Sequence, residues 1–147
     1  MTQNTVSLQV TRRFDAAPER VFDAWLDVEV ARHWLFRDET GEIVAARADP
    51  RVGGTFSFVR RDAEGADLEH VGEYLVIDRP RRLVFTFAVP SISPEYDRVT
   101  IDIERLDRGC ELTLTSEMSP EIFAEWGEQT KEGWTKLLGG LAAQVEG

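Results

Sequence analysis

The side chains best suited to act on a ligand lie on either side of one turn, the Glu64-Gly65 pair. Residues two apart in an extended chain share a face, so Arg60 is in phase with Phe56 and Phe58, and His70 is in phase with Gly72 and Tyr74. Pairing Phe58 with Gly72 across the turn would set Arg60 against His70. A guanidinium beside an imidazole at the rim of an aromatic surface could hold a carboxylate or an enolate. The competing reading leaves both at the hairpin tip, in water. Tyr74 is the stronger donor candidate, because its ring reads as inward and its hydroxyl then needs a partner. Glu73, of opposite parity, reads as a solvated sheet residue.

Other reactive groups are few. His33, beside Trp34, sits where a short helix should end, either near a cavity mouth or as a charge at the helix C-terminus. Cys110 is the only cysteine, which excludes an internal disulfide and favours inert packing over a nucleophile. Two histidines in separate elements do not make a metal site. Neither a nucleophile elbow, a phosphate loop nor a paired-carboxylate motif is present. No catalytic residue is assigned, and no cofactor or metal is expected.

The elements that position these groups follow from composition and period. The chain has 147 residues, 42% of them hydrophobic and 30% charged, as expected for one globular domain. A net charge of −10 with scattered basic residues argues against nucleic acid. Without an apolar run of membrane-spanning length or a signal-like start, the expectation is a cytoplasmic protein with no membrane insertion. A homodimer is compatible with the sequence.

Val6, Leu8, Val10 and Phe14 alternate with polar residues as a first strand. Pro18 opens a helix carrying Val21, Phe22 and Trp25, and Asp27 caps a second short helix ending near Trp34. Six further strands are predicted at 42–48, 55–61, 68–77, 83–89, 98–106 and 110–116, joined by short turns that favour an antiparallel meander. Ser119 and Pro120 open a C-terminal helix whose apolar stripe is Ile122, Trp126, Thr130, Trp134, Leu137, Leu141 and Val145. Gly127 and Gly133 leave a later start near Glu128 open.

One curved antiparallel sheet covered by one long helix encloses a concave space. Its candidate lining is Phe56, Phe58, Tyr74, Phe85 and Phe87 from the strands, Trp126, Trp134, Leu137 and Leu141 from the long helix, and Trp25 and Trp34 from the small helices. Such a space would measure roughly 300 to 1,000 Å³ if hollow; the same rings would equally serve as a solid core.

Four stretches carry a family resemblance: 17–25 (APERVFDAW), 49–56 (DPRVGGTF), Gly72-Glu73-Tyr74 leading to 80–87 (PRRLVFTF), and Gly133-Trp134. In this order they resemble the START-like (SRPBCC) superfamily, and within it the family named for the activator of heat shock protein 90 ATPase. The resemblance implies a helix-grip α+β fold: seven antiparallel strands around a long C-terminal helix, with two short helices after strand one. It also implies a cavity used across the superfamily for lipids, sterols, polyketides and other apolar molecules. Relatives often carry paired tryptophans where Trp34-Leu35 stands, so the cavity mouth should differ here.

Three functions follow in order of expectation. The first is binding of a small hydrophobic molecule, an apolar or aromatic acid among the candidates. The second is a cyclase-like or hydrolase-like enzyme using the same cavity. The third is a chaperone cofactor, which the family name suggests, although the chain has no room for the additional N-terminal domain of the eukaryotic proteins behind that name. Gly139-Gly140, off the apolar stripe, reads either as surface drift or as a softened stretch that loosens for a ligand.

Overall fold

A computed structural model describes residues 5–37 and 41–146. β1 (Val6–Phe14) is followed by α1 (Pro18–Leu26) and α2 (Val28–Ala31). Then come β2 (Glu42–Ala48), β3 (Thr55–Arg61), β4 (Asp67–Asp78), β5 (Arg82–Phe87), β6 (Asp97–Arg105) and β7 (Cys110–Met118), and the chain closes with α3 (Pro120–Val145). The seven strands form one sheet in the order β1-β7-β6-β5-β4-β3-β2, every pair antiparallel. Strands β2 to β7 are thus a meander, and β1 adds beside β7.

Alternation decides which face of each strand turns inward. On β7, Cys110, Leu112, Leu114, Ser116 and Met118 are buried and the residues between them half-buried. Register irregularities at Ile43/Ala45 and Tyr74/Val76 bend the sheet, since an extra residue on one strand of a pair increases its local curl. Three glycines are sterically required, the first being Gly54, where a Cβ would stand 2.0 Å from the Asp49 carbonyl oxygen. Gly109 has φ +75, and a Cβ there would stand 2.1 Å from the Phe14 carbonyl oxygen. At Gly72 a Cβ would meet the Thr86 carbonyl oxygen at 1.9 Å and the Phe56 ring at 2.4 Å, so the ring of Phe56 folds down onto a bare backbone.

Local chemistry fixes the helices. Asp27 accepts from the Glu29 amide at 3.0 Å and starts α2. Ser119 accepts from the Ile122 amide at 3.3 Å and starts α3 one residue before Pro120. Helix α3 runs unbroken through Gly127 and Gly133, so the later start near Glu128 does not occur. Arg79 pairs with Asp23 through two bonds of 2.7 and 2.9 Å, and Arg105 with Glu19, tying α1 to the β4–β5 turn and to β6.

The stripe of α3 differs from the expected one. Trp134, Leu138, Leu141, Ala142 and Val145 are buried, Leu137 is half-buried, and Trp126 is 40% exposed. A strict four-residue spacing drifts around a helix of 3.6 residues per turn, which puts Trp126 about 80° away from Trp134. Only the C-terminal half of α3 therefore presses its apolar face inward, and the N-terminal half exposes Phe123 and Trp126.

Candidate functional site

The space between sheet and α3 is filled by rings in two groups. Trp25 centres the first, with Trp34 edge-on at 4.6 Å, Phe85 at 6.0 Å and Trp134 at 6.1 Å. The indole nitrogen of Trp34 donates to the Ala24 carbonyl at 3.1 Å, which locks the chain leaving α2 onto α1. Phe36 centres the second. Its ring lies nearly parallel to His70 (4.8 Å, 14°) and to Phe87 (4.9 Å, 13°), while His70 and Phe87 are 5.8 Å apart and parallel within 8°. Those three distances describe a platform of two side-by-side rings with Phe36 laid across it. Phe58 and Trp134 meet Phe36 edge-on at 5.7 and 5.9 Å, and Phe56 stacks at 6.0 Å.

Phe36 holds this place with a left-handed backbone, φ +59, a conformation that bulky L residues rarely adopt. The expected hollow is consequently closed. An interior space bounded by Trp25, Leu35, Phe56, Tyr74, Leu83 and Phe85 measures about 10 Å³, room for about one water. A much larger depression, about 730 Å³, is open to solvent on outward-facing residues such as Arg82, Asp102 and Thr113. Four of its charged residues pair with each other, Arg82 with Asp102 at 2.7 Å and Arg81 with Asp78 at 3.0 Å, and it does not belong to the aromatic interior.

The interior thus brings together most of the residues expected to line it: Trp25, Trp34, Phe56, Phe58, His70, Tyr74, Phe85 and Trp134 are all buried, and Phe87 half-buried. Leu141 is buried further along α3, Leu137 lies at its flank, and Trp126 is outside. Arg60 does not face His70. The hairpin pairs Phe58 with His70 and Arg60 with Leu68, because Asp62 caps a turn over 62–66 that shifts the register by two residues from the expected one. Parity survives a shift of two, so His70 still points inward, with Nδ1 3.4 Å from the Phe58 carbonyl. Arg60 sits farther out, its stem beside Gly41. His33 and Glu73 are exposed, and Cys110 is buried, its thiol pushed up by desolvation.

Burial pushes Tyr74 up to about 12, with the Asp49 charge adding to it, so its phenol stays a neutral donor. Sequence reasoning missed Phe36 and Asp97. Phe36 follows Trp34-Leu35 in a turn, where no period marks which side chain goes in. Asp97 had a usable signal: it shares parity with Val99, Ile101 and Ile103, all buried, but the expected strand began one residue later. Its carboxyl is pushed up to about 6, chiefly by desolvation; the nearby Ser116 hydroxyl works against that, and the Glu95 charge adds to it. Among the described residues no cluster of His, Cys, Asp or Glu is placed to hold a metal, and no helix is long and apolar enough to cross a membrane.

The same helix-grip architecture recurs in solved structures. A protein from Nitrosomonas europaea superimposes with a TM-score of 0.83 at 23% identity, covering 95% of this chain and 93% of that one. One from Chromobacterium violaceum gives 0.82 at 27% identity, with 97% and 99% covered. A protein from Aeromonas hydrophila described as AHSA1-like gives 0.82 at 20%, with 96% and 92% covered. No curated protein matches the chain. The family model described as "Activator of Hsp90 ATPase homolog 1-like protein" matches residues 15–146, and the chain, with its START-like sheet and closing helix, belongs to that family.

Proposed function

We propose that this protein binds a small aromatic or apolar molecule between sheet and α3, in the place that the Phe36 ring fills. The observation that carries the reading is the conformation of Phe36 itself: an aromatic side chain held at φ +59 on a flat platform of His70 and Phe87. Burying a ring of this size stabilises by about 1.5–3 kcal/mol. A strained left-handed residue costs about 1–3 kcal/mol. Release of the strain offsets part of the burial lost when Phe36 swings out, and an incoming ring refills the void and recovers the stacking on the platform. Membership in a START-like family, whose members generally use this interior for ligands, supports the same reading. Tyr74, neutral and buried among these rings, acts as a hydrogen-bond donor to the guest rather than as a group that transfers a proton.

Indole tests the proposal. Titrated into the wild-type protein and into Phe36→Gly, it should shift amide signals of residues 70, 87 and 134 in both, at lower concentration in the variant, and raise the melting temperature by mass action. Absence of binding to the folded variant overturns the reading.

A further inference from the structure

The rim of the aromatic slot carries a negative charge without a counter-ion. Asp97 opens β6 on the inward parity and is the direct register partner of Phe87. Facing residues of that kind hold their Cβ atoms roughly 4.5–5.5 Å apart, so the carboxylate stands beside the platform on which Phe36 lies. On the next strand Ser116, the register partner of Val99, also turns inward. It is fully buried, and its hydroxyl makes no bond of good hydrogen-bond geometry. Several outward carboxylates are matched by arginines, as in Asp23–Arg79, Asp67–Arg61 and Asp102–Arg82. Among the described residues no arginine, lysine or histidine forms an ion pair with Asp97. Glu95, two residues earlier and 3.4 Å from the Ser119 hydroxyl at the start of α3, adds a second negative charge at this rim.

We propose that the ligand is an aromatic amine: its ring replaces Phe36 on His70 and Phe87, and its ammonium lies between Asp97 and Ser116. This rests on the reading that the slot takes a ring. The chemistry matches in number as well as sign. An ammonium has three donors and no acceptor, so one can go to the carboxylate and one to the oxygen of the buried Ser116 hydroxyl beside it. An anionic ligand would meet the Asp97 and Glu95 carboxylates, and Arg60 pairs with Leu68 rather than standing opposite His70. The net charge of −10 also raises the local concentration of cations.

Three probes that share one ring separate the two ideas: 3-ethylindole is neutral, tryptamine cationic and indole-3-propionate anionic. Each is titrated into Phe36→Gly, with and without Asp97→Asn, at neutral pH. Tryptamine should bind about tenfold tighter than 3-ethylindole, with indole-3-propionate weakest, and Asp97→Asn should remove the tryptamine advantage while leaving 3-ethylindole unchanged. If 3-ethylindole binds and tryptamine is no tighter, the amine proposal falls and the slot stands. An advantage that survives Asp97→Asn also overturns it. If none of the probes binds, the slot reading fails and this one fails with it. Should Asp97→Asn not fold, the side-chain carboxyl signal of Asp97 in Phe36→Gly decides, moving with tryptamine but not with 3-ethylindole if the proposal holds, and unmoved by either if it does not.

Discussion

Phe36 stacks on His70 with ring centroids 4.8 Å apart and planes 14° from parallel. One ring comes from a turn after a short helix and the other from the middle of the sheet. Their contact closes the protein's interior using a residue whose backbone is unsuited to the position. That combination of tight packing above and strain below makes Phe36 the place where a small change in free energy opens or shuts the space.

Glycine at position 36 should therefore be better tolerated than alanine. Deleting a buried phenylalanine ring to alanine costs about 3–5 kcal/mol, but only glycine also removes the left-handed strain. Urea unfolding of both variants should rank Phe36→Gly above Phe36→Ala, by roughly 1 kcal/mol. The opposite order would show that the backbone at this position is unstrained.

Asp97 sets a pH dependence. Its carboxyl titrates near 6 in the folded protein and near 4 in an unfolded chain, so between those values the folded state binds more protons and stability falls as pH rises. Allowing for partial solvent screening, the ionised carboxylate costs about 1–2 kcal/mol above pH 6. Asp97→Asn should be more stable than the wild type by that margin at pH 7.5, with the gap closing by pH 4. Parallel stability curves across this range would refute the assignment.

Gly72→Ala should be severe. The new methyl would fall 1.9 Å from the Thr86 carbonyl oxygen and against the Phe56 ring, and the backbone atom cannot move without breaking the β4–β5 ladder. A loss of several kcal/mol, or failure to fold, is expected. Near-native melting would mean that β4 and β5 are farther apart than described.

On α3 the glycines behave in the opposite way. A Cβ at Gly139 meets nothing within 4 Å, and at Gly140 it would touch Trp34 Cβ at an ordinary 3.4 Å. Alanine at each should stabilise by about 0.5–1 kcal/mol through helix propensity. If the softness of this stretch serves ligand entry, the double variant will also slow association of indole with the wild-type background; an unchanged on-rate removes that role.

The sequence revealed much of the fold because its strands alternate cleanly and short turns separate them. Val6 to Phe14, Glu42 to Ala48 and Thr55 to Arg61 are strands where the two-residue period puts them. Register across the β3–β4 hairpin was harder, because it depends on how Asp62 bonds within its turn, which hydrophobic pattern does not encode. Trp126 was misplaced because a spacing of four imitates a stripe over two turns and then drifts off it. The decisive residue of the site, Phe36, was invisible: in a turn no periodicity marks the inward side chain, and its left-handed φ arises from tertiary packing rather than local preference.

The pairing of β1 with β7, from Val6 opposite Met118 to Phe14 opposite Cys110, joins segments about 100 residues apart in the chain. During synthesis at about 5–20 residues per second, the opening strand must wait several seconds for its neighbour to leave the ribosome, with its hydrogen-bonding edge unmatched throughout. The growing chain thus has an interval of vulnerability to aggregation, and β1 is among the last strands to find its place.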